Sequence, residues 1–144
     1  MKPAAARLDP ANYPVAIEVE TRFQDLDPLG HINNVAMAAL FESGRVRFNM
    51  GLGMRPERRA GGRRWLVARI EINYVGEGGF PGLVSIGHGF GRVGTSSWEV
   101  LSAAFQGENC IATCDCTLVL TGPDGVEAIG DDHREILATH QFSS

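Results

Sequence analysis

Two carboxylates, a histidine and two asparagines stand close together in Asp25-Leu26-Asp27-Pro28-Leu29-Gly30-His31-Ile32-Asn33-Asn34. A carboxylate can attack an activated carbonyl or take a proton from water, and a histidine or an asparagine amide can hold that water in place. The segment is built from turn formers and runs directly into residues of helical character. An asparagine at the cap position accepts from the free N–H groups of a first helical turn, so the asparagine pair marks a helix start. From Val35 to Phe41 every residue is apolar, which predicts a helix buried on all sides. The N-terminus of such a helix favours negative charge and presents unpaired N–H groups. A polar loop delivered to that place suits chemistry on a carbonyl.

The elements that must hold this loop are legible on either side of it. Ahead of it, residues 16–23 alternate strictly, with Ile17, Val19, Thr21 and Phe23 on one side and Glu18, Glu20 and Arg22 on the other, the pattern of a half-buried strand. The helix loses its apolar character after Glu42 and ends near Gly51 to Gly53. Four strand-like segments follow with no helix between them: one from Leu66 to Tyr74, Leu83 to Val93, Ser97 to Gln106, and Asn109 to Thr121. They are punctuated by glycine-rich turns. Gly87, Gly89 and Gly91 share one strand face, which leaves room for a helix or another backbone to come close. Residues 1–14 read as a loosely ordered lead-in, and the tail from 126 to 144 ends in a short helix around Asp132 to His140. The order is strand, buried helix, then four strands in meander fashion. This predicts one α+β domain over residues 1–144, a long curved antiparallel sheet wrapped round a central helix.

Composition narrows the partners. The chain has 144 residues, 44% hydrophobic and 21% charged, with a net charge of −4, so nothing pulls it toward nucleic acid or anionic membranes. No segment approaches the roughly 18 consecutive apolar residues of a membrane span, and the N-terminus does not read as a signal peptide. The expected location is the cytoplasm. Cys110, Cys114 and Cys116 share the parity of Ala112 on one strand and read as small core residues in a reducing compartment. No histidine lies at ligand spacing from them, so no metal is expected. The stretch 54–64 carries Arg55, Arg58, Arg59, Arg63 and Arg64. It is either a solvated basic loop or a clamp for a phosphorylated ligand, since guanidinium forks suit phosphate oxygens.

The loop motif, followed by Phe41-Glu42-Ser43-Gly44-Arg45, resembles the signature of hot-dog fold thioesterases of the 4-hydroxybenzoyl-CoA thioesterase type. The resemblance covers about residues 15 to 138. It implies an acyl-CoA thioesterase that hydrolyses a small-to-medium acyl or aroyl CoA to the free acid and CoA. It also implies no metal or redox cofactor, with coenzyme A present only as part of the substrate. Asp27 falls where the family's catalytic carboxylate sits, as nucleophile or general base. His31 shapes the loop or holds the attacking water. Asn34 falls where some relatives carry a second catalytic histidine, and here it can hydrogen-bond or position water. Glu42 is the second-ranked carboxylate, because another branch places a catalytic glutamate on this helix. Arg58, Arg59, Arg63 and Arg64 become candidate contacts for CoA phosphates. Met37 stands where the family usually has a tyrosine, which alters the acyl pocket and not the loop chemistry.

Asp25 is expected to cap or turn the loop, and Glu42 to lie near the buried side and pair with Arg45 three residues on or with another strand. Two other functions fit the same fold: an acyl-thioester hydratase or dehydratase using His31 with Asp27, and a non-catalytic acyl-CoA binding protein. An acyl carrier protein could replace CoA. Exposed sheet edges predict a homodimer or a dimer of dimers, with active sites between protomers.

Overall fold

The computed structural model describes residues 2–57 and 61–144. Within them, six strands form one antiparallel sheet and an 18-residue helix lies on its concave face. The strands are β1 (Val15–Glu20), β2 (Arg64–Tyr74), β3 (Leu83–Val93), β4 (Ser97–Gln106), β5 (Asn109–Gly122) and the short β6 (Gly125–Val126). The helices are α1 (Asn34–Gly51) and α2 (Asp131–Thr139). The spatial order is β1-β3-β4-β5-β2, with β6 paired to β5.

Only three of the four consecutive strands run as a meander. β3, β4 and β5 pair in sequence, whereas β2 crosses to the far edge and pairs with β5. A helix inserted between β1 and β2 carries the chain across the sheet, so the two end at opposite edges. The register of β2 slips between Val67 and Arg69, leaving Ala68 as an extra residue. The slip changes the parity, so Val67 joins Ile70, Ile72 and Tyr74 on the concave side. β1 stops at Glu20, earlier than the alternation suggested, and Phe23–Asp25 forms a tight 3-10 turn. Phe23 is thereby turned out and is 76% exposed.

α1 begins as the asparagines predict, with Asn33 as cap and its Oδ1 accepting from the Ala36 amide at 2.8 Å. Its sheet-facing side buries Met37, Leu40, Phe41, Gly44, Arg45 and Phe48. Each large apolar member contributes on the order of 1.5–3 kcal/mol by leaving water. The expectation of burial on all sides is corrected: Val35 is 81% and Val46 49% exposed, and Ala38, Ala39 and Glu42 are exposed beside them. An all-apolar run predicts that no side prefers water, but a single sheet covers only one side.

The glycine face of β3 is the outer one. Tyr13 lies over Gly87, and Pro14 and Phe142 lie over Gly89, so the close neighbours are the chain's own ends and not α1. Accordingly the lead-in is not loose. Residues 5–8 and 10–12 form two 3-10 turns, and Arg7 donates to Asp115 at 2.6 Å. Cys114 and Cys116 are buried on the concave face, but a register shift between Ala104 and Phe105 turns Cys110 into the outer cluster. All three are free thiols, and burial pushes the Cys114 thiol up to about 12. No helix of the described residues is long and apolar enough to cross a membrane.

Candidate active site

The loop from Arg22 to Asn33 is held by its own polar groups. Asp25 is almost wholly buried. Its carboxylate accepts from the Arg22 amide at 2.8 Å and from Arg22 Nη2 at 2.9 Å. That guanidinium holds the Asp25 carboxyl below the usual carboxylate range, outweighing the opposing effect of burial. The Asp25 carbonyl accepts from the Asn33 amide at 2.8 Å, so Asp25 fixes where α1 starts. This is a structural duty, as its turn-forming context suggests.

Asp27 ties the tip of the loop. Its Oδ1 accepts from the amides of Leu29 at 2.9 Å and His31 at 3.0 Å. Its amide donates to the His31 carbonyl at 2.8 Å, and Gly30, with φ of +83°, closes the turn. The second carboxylate oxygen, Oδ2, accepts from no described group. Asp27 is thus a turn former through one oxygen and a free base or nucleophile through the other.

His31 Nε2 lies 3.2 Å from Glu77 Oε2. Glu77 belongs to the turn between β2 and β3, which the loop motif gives no reason to notice. That turn is clamped from behind: Gln106 accepts from the Gly79 amide at 2.8 Å and donates to the Gly79 carbonyl at 2.9 Å. Gly78 in turn accepts from the Ile32 amide at 2.9 Å. A Cβ on Gly78 would meet the terminal methyls of Ile32 and Ile111 at 2.8 Å, so a larger residue here would require those side chains to shift. The signal for this turn was the GEGGFPG punctuation at 76–82, which marks a turn without assigning it to the loop.

Gln24, Asp27, Asn34, Val35 and Ala39 line one open depression of about 650 Å3. Asn34 is exposed within it. The amides of Asn34 and Val35 precede the first helical acceptor and donate to nothing among the described residues, leaving two N–H groups at the positive end of α1. The structure therefore brings Asp27, Asn34 and two unpaired amides to one concavity, whereas His31, its ring directed to Glu77, does not line it.

It does not bring Glu42 there. Glu42 sits eight residues along α1 from Asn34, about 12 Å at 1.5 Å per residue, and it is exposed and does not line the depression. Nor does it pair with Arg45, which points inward and is buried. Arg63 and Arg64 lie beyond the other end of α1, about 27 Å from the loop along the helix axis. Arg63 is engaged with Glu127 at 3.1 Å. Arg58 and Arg59 fall outside the described residues. Near that far end, Val46, Asn49, Met50, Met54, Pro56 and Trp65 line a second, more apolar cavity of about 390 Å3. No group of three metal-ligating side chains is present among the described residues.

The architecture has close parallels. A protein of Pseudomonas aeruginosa strain PAO1 superposes with a TM-score of 0.83 at 24% identity, covering 94% of this chain and 97% of that one. A predicted thioesterase from Bacillus stearothermophilus gives 0.78 at 25% identity over 90% and 97% of the two chains. A thioesterase of Thermus thermophilus, solved with coenzyme A and Zn, gives 0.75 at 24% identity over 89% and 95%. No curated protein is matched by the sequence. The curved sheet with its central helix is the hot-dog fold, and the family model of the thioesterase-like superfamily matches residues 21–124, from the loop through to the end of β5. The chain belongs to the thioesterase-like superfamily and, as a member, is a thioester hydrolase.

Proposed function

We propose that the protein hydrolyses the thioester of a small-to-medium acyl or aroyl coenzyme A, with Asp27 as the reacting carboxylate. The observation that carries this reading is the pairing, in one depression, of a half-used carboxylate with unused helix-start amides. The free Oδ2 of Asp27 takes the proton of a water that attacks the carbonyl, or attacks it directly. The amides of Asn34 and Val35 face the oxygen on which negative charge develops, and cost no reorganisation when it does. The departing thiolate leaves with a proton as CoA-SH. Asn34 and His31 orient the water, and His31 is itself oriented by Glu77. That the Thermus thermophilus relative was solved with coenzyme A favours CoA as the carrier.

The acyl group needs an apolar wall that the polar depression at Asp27 does not supply. The apolar cavity lies at the opposite end of α1. A second copy, related by a two-fold axis and pairing along β2, lays its α1 antiparallel and brings that cavity to the partner's loop. β2 is an edge strand with Leu66, Val67, Ile70 and Tyr74 about half exposed, and Val35, Val46 and Met50 stand exposed on α1. Burying this surface favours pairing. Arg55, Arg63 and Arg64 then flank the partner's site, where CoA phosphates would meet them. The compartment we propose is the cytoplasm, in keeping with three cysteines left as thiols.

The test is thiol release from a panel of acyl-CoAs, aromatic and aliphatic of graded length, by the native protein and Asp27→Asn. Turnover that collapses in the variant while the ligand is still bound supports the reading. No release by the native protein from any member sinks CoA ester hydrolysis and turns attention to acyl carrier proteins. A single turnover in 18O-water separates the two routes: general-base attack puts the label in the product acid, whereas direct attack followed by opening of the anhydride at the Asp27 carbonyl puts it in the protein carboxylate and leaves the acid unlabelled.

A further inference from the structure

Both ends of the chain are folded onto the outer face of the sheet. Tyr13 packs with Ala103, Phe105 and Phe142 there. It fits because Gly87 lacks a Cβ, which would lie 2.7 Å from the Tyr13 ring. The tail is stitched beside it: Phe142 donates to the Phe90 carbonyl at 2.9 Å, Phe90 to the His140 carbonyl at 2.9 Å, and Ser143 to the Asn12 carbonyl at 3.0 Å. Arg7 locks the lead-in through three donors, to Asp115 Oδ1 at 2.6 Å, the Ser102 carbonyl at 3.0 Å and the Tyr13 hydroxyl at 3.0 Å. Its guanidinium also lies 5.6 Å from the Phe142 ring centroid.

What the ends cover is the apolar band of that face. Around it the face is mixed, with Glu71 and Asn73 on β2, Glu99 on β4 and Thr113, Asp115 and Thr117 on β5 standing beside Leu66, Leu83, Leu101 and Val119. Two sheets pack face to face only by interdigitating apolar side chains. Here the stretch around Ala103 and Phe105, where the glycines of β3 leave room for such packing, is filled from within the same chain. The Arg7–Asp115 pair is largely shielded from water, so it is screened less than an exposed pair.

We propose that residues 5–14, latched by Arg7, are an intramolecular cap that closes the outer face to a second copy of this chain. Self-association is thereby confined to the β2 edge and stops at two copies.

The test compares the mass, by light scattering, of the full chain and of a chain beginning at Pro14, with circular dichroism to confirm folding. The full chain is expected at no more than two copies. The shortened chain is expected at twice that mass or more, and Ala103→Asp in the shortened chain is expected to reverse the gain. A folded shortened chain of unchanged mass overturns the proposal, as does a full chain of more than two copies. If the shortened chain does not fold, Arg7→Glu in the full chain takes its place, since it repels Asp115. Concentration-dependent growth in mass supports the cap and an unchanged mass overturns it.

Discussion

Gly44 of α1 lies so close to His88 of β3 that a Cβ on the glycine would stand 2.7 Å from His88 Nε2. This contact sets how deeply the central helix sits on the sheet. Alanine is the better helix former by about 1 kcal/mol, so Gly44→Ala would stabilise an isolated α1. In the protein the ring cannot step aside. His88 Nδ1 is hydrogen-bonded to Ser102 Oγ at 2.7 Å, and the ring stacks on Phe48 at 5.1 Å. Packing therefore outweighs propensity, and Gly44→Ala is expected to cost about 1–3 kcal/mol in chemical denaturation. An unchanged or raised midpoint would show that α1 can lift off the sheet.

His88 also governs acid stability. It has no exposed surface, and burial, with repulsion from Arg45, lowers its pKa to about 3. The folded protein keeps the ring neutral while the unfolded chain protonates it near the ordinary value of 6.5. Stability is therefore complete above about pH 6.5 and is lost as pH falls toward about 3, with a slope approaching 1.4 kcal/mol per pH unit. His133, lowered by burial and by Arg63 and Arg134, adds in the same direction. His88→Gln is expected to flatten the stability curve between about pH 6.5 and 4. Parallel curves would count against this account.

Gln106 is expected to act on catalysis from a distance. Both ends of its amide are bonded to Gly79, and they hold the turn that presents Glu77 to His31. Gln106→Leu removes both bonds at about 1–2 kcal/mol of stability. It is expected to lower kcat more than it raises KM, because the loosened turn no longer fixes His31. Equal loss of kcat and of folded protein would mean that the turn serves folding alone.

The proposed sharing of the site between two protomers predicts complementation. Asp27→Asn is expected to disable the loop, and Met50→Glu places a charge in the apolar cavity, so each variant alone is expected to be nearly inactive. Mixed and allowed to exchange subunits, they are expected to recover about a quarter of native activity, because half of the dimers carry one intact site. A site completed within one protomer gives no recovery at all.

The sequence made the loop, the cap at Asn33 and the central helix readable, because turn residues and periodicity are local signals. The partners that act at a distance were not readable in the same way. Glu77 and Gln106 reach the loop from 46 and 75 residues beyond His31, and the glycine punctuation around Glu77 marks a turn without saying what it touches. The exposed side of α1 escaped as well. A run of apolar residues says that water is disfavoured everywhere, without saying which side one sheet covers. Glu42 was misplaced for that reason, since its side of the helix was taken to be inside. Cys110 left the face of Cys114 because a register shift breaks the parity on which its placement rested. The glycine face of β3 was recognised as a close-approach surface, but its occupants come from the two ends of the chain.

The extra residue at Ala68 has a bearing on which strands β2 will accept. A straight edge strand offers its free N–H and C=O groups to any extended chain, whereas one interrupted by an inserted residue offers them in two segments out of step. A stray peptide can match one segment but not both without distorting. Deleting Ala68 would join the segments into one continuous ladder of open groups. The resulting protein would be a less discriminating partner, and more prone to clump with unrelated strands.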